Sequence, residues 1–321
     1  MIAAMYTRYG PPNVVRVVEA DKPIPADGEV LIRIRAASVN PLDWHLIRGS
    51  PRVARLFMGL VRPKLTRPGA DVAGHVESVG KDVNGFASGD AVFGGCRGAC
   101  AEYVCTPATA LEKKPDNLTF DEAAALPVAG ITALQGLRDN GHLSAGQKVL
   151  INGASGGVGT FAVQIAKAFG AEVTGVCSTR NVQMVRSIGA CRVIDYTRED
   201  FTQSELRFDV LLDCAGNRPL RACRRLLNPG GRYVLVGAPE PFRRIARMRL
   251  LSLFGGPRLV FFLARQKPGD LRFLAELAAA GKLRPVIDRR FTLSEVAEAI
   301  RYNEAGHARG KVIVTIDDRG R

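Results

Sequence analysis

Residues 148–173 read KVLINGASGGVGTFAVQIAKAFGAEV, and this stretch decides the fold. The apolar run before Gly153 predicts a buried strand, and the apolar spacing after Gly159 predicts a helix. Between them lies Ala154-x-Gly156-x-x-Gly159, the dinucleotide-binding spacing with alanine at its first glycine position. Such a turn brings the backbone close to a pyrophosphate and points a helix N-terminus at it. The predicted cofactor loop consists of Ala154, Ser155, Gly156, Gly157, Val158 and Gly159.

The strand after this helix distinguishes between the two nicotinamide dinucleotides. Its residues EVTGVC are followed by Ser178, Thr179 and Arg180, and no carboxylate follows until Asp195. Sites for NADH usually place an acidic residue about 20 residues after the loop, where it binds the ribose 2′-hydroxyl. A guanidinium such as that of Arg180 pairs instead with a 2′-phosphate. The sequence therefore predicts NADPH, with Ser178 and Arg180 in its site.

The pattern of strands and helices divides the chain. Residues 126–266 alternate apolar strands with helices, which indicates a parallel sheet covered on both faces. Residues 1–125 contain short strands between Gly and Pro turns, which is typical of a small β-barrel. Residues 267–321 add two helices and a last strand. The predicted fold class is α/β, with a doubly wound domain (126–266) inserted into a β-rich domain (1–125) that residues 267–321 complete.

Composition excludes several classes of protein. The seven cysteines have no regular spacing, which argues against a disulfide framework and indicates a cytoplasmic protein. The net charge of +14 is spread along the chain, so we expect no specific nucleic-acid binding. No apolar stretch is long enough to predict a transmembrane segment. The apolar, arginine-flanked residues 243–265 are interpreted as a pocket-lining or dimer-contact segment, and a membrane-grazing segment is the alternative.

The whole chain resembles the zinc-free, quinone oxidoreductase-like branch of the medium-chain dehydrogenase/reductase superfamily. The resemblance implies a Rossmann doubly wound parallel sheet inserted in a GroES-like β-barrel catalytic domain, a cofactor between the two, and a homodimer. The stretches that carry it are ASVNPLDWHLIRG (37–49), PGADVAGHVESVG (68–80), GDAVFGG (89–95), AEYV (101–104), ALPVAGITALQGL (125–137), NGASGGVG (152–159), IDY (194–196) and GHARGKVIV (306–314).

Two positions separate this chain from the zinc alcohol dehydrogenases of the same superfamily. Those enzymes carry a catalytic cysteine where this chain has Asn40, and a histidine where it has Ala70. A catalytic zinc needs three protein ligands and an open fourth position. The family's structural zinc loop has four closely spaced cysteines, and Cys96, Cys100 and Cys105 do not match it. The resemblance therefore implies an enzyme without metal.

Without zinc, the resemblance implies reduction of an electron-poor acceptor, a quinone or an α,β-unsaturated carbonyl, by hydride transfer from NADPH. The predicted catalytic residues are Asn40, Asp43 and His45, on one loop. Asn40 either donates a hydrogen bond to the acceptor oxygen or caps a turn before Pro41. His45 either relays a proton or faces solvent. His75 is interpreted as a structural histidine.

The resemblance implies further cofactor contacts from Thr132, Tyr196, Gly237, Ala238 and Lys311. The apolar sequence RVARLFMGLVRPKL (52–65) favours a small hydrophobic acceptor. Two alternatives stay open. One is a reductase of acyl or polyketide intermediates. The other is a nucleotide-sensing scaffold that binds RNA or an anionic membrane through its basic surface.

Overall fold

The computed structural model describes residues 1–237, 241–252 and 256–316. The chain forms two compact units. The terminal unit contains Met1–Ala129 and Gln266–Arg321, and the inserted unit contains Gly130–Arg265. A β-rich unit assembled from both ends of the chain, with an α/β unit between, is the architecture that the sequence predicts.

The strands and helices follow the sequence pattern closely. In chain order, the described strands are β1 (Ile2–Met5), β2 (Arg16–Glu19), β3 (Glu29–Val39), β4 (Asp71–Val79), β5 (Ala91–Gly95), β6 (Tyr103–Pro107), β7 (Leu111–Lys113), β8 (Lys148–Asn152), β9 (Glu172–Cys177), β10 (Arg192–Asp195), β11 (Phe208–Asp213), β12 (Leu227–Leu235), β13 (Arg258–Phe261), β14 (Ile287–Thr292) and β15 (Lys311–Thr315). The described α-helices are α1 (Pro41–Arg48), α2 (Arg55–Met58), α3 (Phe120–Ala125), α4 (Pro127–Gln135), α5 (Gly157–Ala168), α6 (Val182–Ser187), α7 (Leu220–Arg225), α8 (Pro241–Ser252), α9 (Pro268–Ala279) and α10 (Val296–Glu304).

The inserted unit contains a six-stranded sheet in the order β10-β9-β8-β11-β12-β13. Every neighbouring pair in it is parallel. Numbered within the sheet, this is the order 3-2-1-4-5-6 of the doubly wound dinucleotide fold. The direction of the strand order reverses between β8 and β11, and ligands of such sheets bind outside the carboxyl ends of the strands at that point. The predicted doubly wound parallel sheet is confirmed.

Burial and close packing explain why the glycine loop forms here. Strand β8 is buried from Val149 to Asn152, as expected for a parallel strand with helices on both faces. A Cβ atom at Gly159 would lie 2.1 Å from the carbonyl oxygen of Gly153. Only glycine therefore allows α5 to approach β8 so closely.

The terminal unit is built around the long strand β3. Its seven-stranded sheet has the order β14-β15-β3-β4-β5-β7, and β6 also pairs with β3. In this sheet Ser38 lies opposite Asp71 of β4 on one side and Ile313 of β15 on the other. Residues far apart in sequence therefore meet at the end of β3.

One segment differs from its sequence interpretation. Asp43 and His45 lie on helix α1, not on a loop. The backbone N–H of Asn40 donates to Asp43 Oδ2 at 2.8 Å, and Pro41 at the first helical position has no N–H to satisfy. Gly49, with a φ of 58°, ends the helix.

Residues 243–265 are predicted to form a pocket-lining or dimer-contact segment, with a membrane-grazing segment as the alternative, and this stays a prediction. Their described part consists of helix α8 and the edge strand β13. The apolar residues of β13 pair with β12, so much of the hydrophobic character of this stretch belongs to the sheet. No helix in the described ranges is long and apolar enough to cross a membrane.

Candidate active site

A buried cluster of polar side chains in the terminal unit contains two of the predicted site residues, Asn40 and Lys311. We call Ser38, Asn40, Asp71 and Lys311 the lysine cluster. Lys311 Nζ donates to Asn40 Oδ1 at 2.6 Å and to Asp71 Oδ2 at 3.3 Å. Asp71 Oδ2 also accepts hydrogen bonds from Ser38 Oγ at 2.6 Å and from Asn40 Nδ2 at 2.8 Å. The cluster is held together by β3, β4 and β15.

The lysine cluster is closed to solvent. Lys311 is 3% exposed and Asp71 is fully buried. The second carboxylate oxygen of Asp71 accepts the backbone N–H of Val128 at 2.8 Å. A buried ammonium and a buried carboxylate persist only when each is paired and hydrogen-bonded, and both conditions are met here.

Both the oxygen and the nitrogen of the Asn40 side-chain amide form hydrogen bonds within this cluster. Its Nδ2 donates to Asp71 and has a longer contact of 3.4 Å to the Ser38 carbonyl, while Oδ1 accepts from Lys311. The residue is only 2% exposed. A hydrogen bond from Asn40 to an acceptor oxygen would require its amide to turn away from Asp71. In this arrangement Asn40 orients Lys311 and Asp71 toward each other.

Asp43 lies beside the cluster and is also buried. Its two oxygens accept the backbone N–H groups of Asn40 at 2.8 Å and Gly69 at 2.7 Å. Burial raises the pKa of Asp43 to about 6, although both hydrogen bonds oppose the shift. The described bonds of this carboxylate hold the start of α1 and the turn at Gly69.

His45 is half-buried on α1 and stacks on the Trp44 ring at 3.6 Å between centroids. Its Nδ1 lies 3.1 Å from the carbonyl oxygen of Ser50. Because a carbonyl only accepts, Nδ1 carries the proton of this bond. Burial lowers the pKa of His45, which favours the neutral ring. Nε2 is then an acceptor, so the neutral side chain can accept a proton there but cannot donate one.

The donor set around the lysine cluster does not suit zinc. Asp71 is already neutralised by the Lys311 ammonium, and burial raises the pKa of the Cys96 and Cys100 thiols, whereas zinc binds thiolate. Across residues 1–237, 241–252 and 256–316, no group of three or more His, Cys, Asp or Glu side chains is placed to share a metal ion.

The inserted unit brings the predicted cofactor residues to one edge of its sheet. We call Ser155, Ser178, Arg180, Asn181 and Tyr196 the ribose edge. They follow the carboxyl ends of β8, β9 and β10, and the Tyr196 N–H bonds to the carbonyl of Cys177 at 3.0 Å. Arg180 is exposed and Tyr196 is 47% exposed. Residues predicted from separate motifs are therefore neighbours.

Sequence reasoning missed Asn181, which connects the glycine loop to the end of β9. Asn181 Nδ2 donates to Ser155 Oγ at 3.0 Å and to Ser178 Oγ at 3.3 Å. The residue is 4% exposed, and its buried Oδ1 has no hydrogen-bond partner in the described part of the chain. A buried acceptor without a partner is costly in a folded protein unless a ligand supplies the donor. Its position directly after Arg180 is the sequence signal that could have identified it.

The glycine loop fits a phosphate group. Helix α5 begins at Gly157, and its N-cap residue, Gly156, has no side chain to cover the first N–H groups. A Cβ at Gly156 would lie 3.5 Å from the Gly153 carbonyl oxygen, an ordinary van der Waals distance. The N-terminus of α5 therefore presents backbone donors and the positive end of the helix dipole beside an open face.

The structure corrects the reasoning about Asp195. Although it lies 15 residues after Arg180 in sequence, Asp195 is paired in register with Cys177 at the end of β9. Its carboxylate accepts the Thr179 hydroxyl at 2.5 Å and forms an ion pair with Arg198 at 3.6 Å. The bond from Thr179 lowers the pKa of Asp195, which keeps it ionised. A negative charge thus lies next to the ribose edge, contrary to what linear spacing suggested.

A second buried network lies at the reversal point of the strand order. Asp213 ends β11 and accepts Asn152 Nδ2 of β8 at 2.8 Å and Tyr233 Oη of β12 at 2.5 Å. Arg244 of α8 pairs with Asp213 at 3.1 Å and donates to the Gly216 carbonyl at 2.8 Å. Nothing in the sequence distinguishes Arg244 as this partner, because it is one of several arginines in α8.

The remaining predicted residues fall in three places. Thr132 is half-buried on α4 of the inserted unit. Gly237 follows β12, where a Cβ would lie 2.8 Å from the Cys214 carbonyl oxygen. Ala238 lies outside the described residues. Lys311, predicted to reach the cofactor, directs its ammonium to Asn40 and Asp71.

Comparison with known proteins agrees with this geometry. Residues 26–116 match the family model described as alcohol dehydrogenase GroES-like domain, and residues 188–314 match the one described as zinc-binding dehydrogenase. A chloroplastic quinone oxidoreductase of Triphysaria versicolor is 35% identical, over 98% of both chains. The chain belongs to the medium-chain dehydrogenase/reductase superfamily, in its quinone oxidoreductase-like branch.

Two further relatives extend the comparison. A 2-methylene-furan-3-one reductase of Solanum lycopersicum is 35% identical over 98% of this chain and 79% of that protein. The solved quinone oxidoreductase of Coxiella burnetii superposes with a TM-score of 0.88 at 33% identity, covering 99% of each chain. The protein is therefore an oxidoreductase of a family that uses a nicotinamide cofactor.

Proposed function

We propose that this enzyme reduces a quinone or an α,β-unsaturated carbonyl with NADPH and without zinc. The observation that carries the cofactor preference is the ribose edge, where Ser178 and exposed Arg180 follow the strand next to the glycine loop. The relatives described as quinone and furanone reductases support the class of acceptor.

The residues present fit a dinucleotide. When bound, NADPH would supply the hydride. The backbone N–H groups at the start of α5 would bind the pyrophosphate, and Arg180 with Ser178 would bind the 2′-phosphate. The unpartnered Oδ1 of Asn181 would accept a ribose hydroxyl. Tyr196, Thr132, Gly237 and Ala238 remain proposed cofactor contacts.

The donor set supports the proposal of zinc independence. Asn40 and Ala70 replace the cysteine and histidine ligands of the zinc enzymes, and Asp71 is held by Lys311. Conjugated acceptors spread the new negative charge over their own oxygen, so they require less electrophilic help than alcohol oxidation does. The roles of Asn40, Asp43 and His45 in catalysis are proposals. Asn40 and Asp43 would act by ordering the region. His45 would relay a proton, taking one from water at Nε2 and passing it to the acceptor that hydride has reduced.

The homodimer and the cytoplasmic location also remain proposals. Strand β13 is the edge of the six-stranded sheet, and an edge strand offers backbone groups that a second copy can pair with. The scaffold alternative, in which the basic surface as a whole binds RNA or an anionic membrane, rests on the net charge of +14.

A cofactor-oxidation assay tests the proposed function. Enzyme dialysed against EDTA is mixed with NADPH or NADH and with an ortho-quinone or an alkyl enal, and loss of the reduced cofactor's absorbance is followed. We expect rapid NADPH oxidation that EDTA does not diminish. Equal kcat/KM for both cofactors would contradict the NADPH preference, and activity that returns only with added zinc would contradict zinc independence. Replacing Asn40 with Ala should lower kcat by about tenfold.

A further inference from the structure

We propose that an exposed apolar segment of the terminal unit docks this protein onto an anionic lipid bilayer. The segment, which we call the apolar ridge, comprises Val53, Leu56, Phe57, Leu60 and Val61. This inference does not depend on the proposed activity, although a membrane is where a hydrophobic quinone would be concentrated.

The apolar ridge is unusually exposed. Phe57 is 82% exposed and Val61 is 84% exposed, and the other three members are each more than half exposed. Single exposed apolar side chains are common on protein surfaces and need no explanation. Five such side chains within nine residues form a concentration that, on soluble proteins, marks an interaction surface.

The ridge is supported from beneath by specific contacts. The Tyr9 hydroxyl lies 2.6 Å from the carbonyl oxygen of Gly59 and 3.1 Å from that of Met58. The Arg55 guanidinium lies 4.3 Å from the centre of the Tyr9 ring and donates to the carbonyl of Gly49 at 3.1 Å. These contacts tie α2 to the N-terminal segment, so the apolar side chains project from an anchored backbone.

The charged residues of the segment that carries the ridge are all basic. Residues 44–70 contain no aspartate or glutamate. The cations of this range are Arg48, Arg52, Arg55, Arg62, Lys64 and Arg67. Arg48 is paired with Glu304, whereas Arg52, Arg62 and Lys64 are exposed beside the ridge. Apolar side chains flanked by basic ones are the pattern of a segment that lies at the surface of an anionic membrane.

This pattern favours a bilayer over the other partners that such a surface can bind. A second copy of the same ridge would bring two sets of cations together, which costs free energy. Single-stranded RNA would need several aromatic rings for stacking, and Phe57 is the only aromatic side chain of the ridge. An anionic bilayer offers negatively charged headgroups to the cations and acyl chains to the aliphatic side chains.

Vesicle sedimentation tests the proposal with the full chain. The probes are vesicles of phosphatidylcholine alone and of phosphatidylcholine mixed equally with phosphatidylglycerol. The variant is the double substitution Phe57→Ser and Val61→Ser, which changes no charge. The matched control is Ile24→Ser, because Ile24 is 88% exposed but lies outside the ridge. Circular dichroism and the denaturation midpoint check that all chains fold alike.

We expect the natural chain to bind the anionic vesicles, and binding to weaken as salt rises from about 50 to about 500 mM. The double variant should lose about tenfold or more in partitioning, while Ile24→Ser should not change it. Three results would overturn the proposal: no binding by the natural chain, equal binding by the double variant, or unchanged vesicle binding together with an altered oligomeric mass or a raised KM for a water-soluble quinone. The last result would identify the ridge as a contact between copies or as a wall of the substrate site.

Discussion

The lysine cluster and the ribose edge are both rich in polar groups, but they differ in how those groups are satisfied. In the lysine cluster, Asp71, Asn40 and Lys311 satisfy one another and are almost fully buried. At the ribose edge, Arg180 is exposed and Asn181 keeps a buried acceptor without a described partner. The first region is complete as it stands, whereas the second has the features of a site that a ligand completes.

This difference distinguishes two predicted cofactor residues, Lys311 and Arg180. Lys311 and Arg180 are both cations that the sequence assigned to the cofactor. The structure gives Lys311 two buried polar partners within its own unit and leaves Arg180 at the surface of the other unit. Substitutions at Lys311 should therefore affect stability first, and substitutions at Arg180 should affect cofactor binding first.

The largest effect is expected from Lys311→Met. The substitution leaves Asp71 buried without its cation, and removal of one partner from a buried ion pair typically costs about 3–5 kcal/mol. Urea denaturation at neutral pH measures the free energy of unfolding directly. The double variant Lys311→Met with Asp71→Asn removes both charges, so it should recover a large part of that loss. A single variant as stable as the natural chain would show that the cluster is not closed in solution.

The next effect is a pH dependence that arises from Asp43. Its pKa is raised to about 6, so between about pH 4 and 6 the folded chain keeps a proton that the unfolded chain has released. The free energy of unfolding therefore falls as the pH rises through this window and is level above it. From this carboxyl alone the fall is about 3 kcal/mol.

Other carboxylates titrate in the same pH range. A comparison of the natural chain with Asp43→Asn therefore isolates the contribution of Asp43 to the free energy of unfolding. The difference in free energy of unfolding between the two chains should change across pH 4–6 and stay constant above pH 7. A constant difference from pH 4 to 7 would show that Asp43 titrates normally and that water reaches it.

The same contrast explains which features of the fold and the site the sequence predicts. The glycine loop is a local pattern, since its strand, turn and helix are consecutive, and its packing requires glycine at Gly159. Local patterns of this kind predicted the doubly wound sheet and most helix and strand positions. The lysine cluster joins residues up to 271 positions apart, and only the pairing of β3 with β4 and β15 brings them together.

Two misses follow from the same cause. Spacing along the chain places no carboxylate near Arg180 before Asp195, whereas parallel pairing places Asp195 beside the end of β9. The sequence does not predict β13 as a strand, because the run is only four residues long and follows Gly256 and Pro257. Pairing with the adjacent β12 makes it a strand. Tertiary pairing decides both cases, and no local propensity reports it.

The third prediction concerns the ribose edge. Arg180→Ala should lower kcat/KM for NADPH by about 10- to 100-fold, because a charge-assisted bond to the 2′-phosphate is lost, and should leave NADH unaffected. Steady-state kinetics with both cofactors measures the ratio. The matched control is Arg186→Ala, another arginine at the surface of the inserted unit. An equal loss of kcat/KM with both cofactors would show that Arg180 supports the fold of this edge and does not bind the 2′-phosphate.

The smallest effect is expected from Asp195→Asn. The carboxylate lies beside the ribose edge and repels a 2′-phosphate, but Thr179 and Arg198 already offset part of its charge, and solvent screens the remainder. The ratio of kcat/KM for NADPH to that for NADH should therefore rise by only about threefold. Asp200→Asn is the control, since Asp200 is a carboxylate of the same unit that pairs with Arg218. If Asp195 only positions Thr179, both cofactors will lose equally and the ratio will not move. If the ratio falls, the Asp195 carboxylate does not act on this site by repelling a 2′-phosphate.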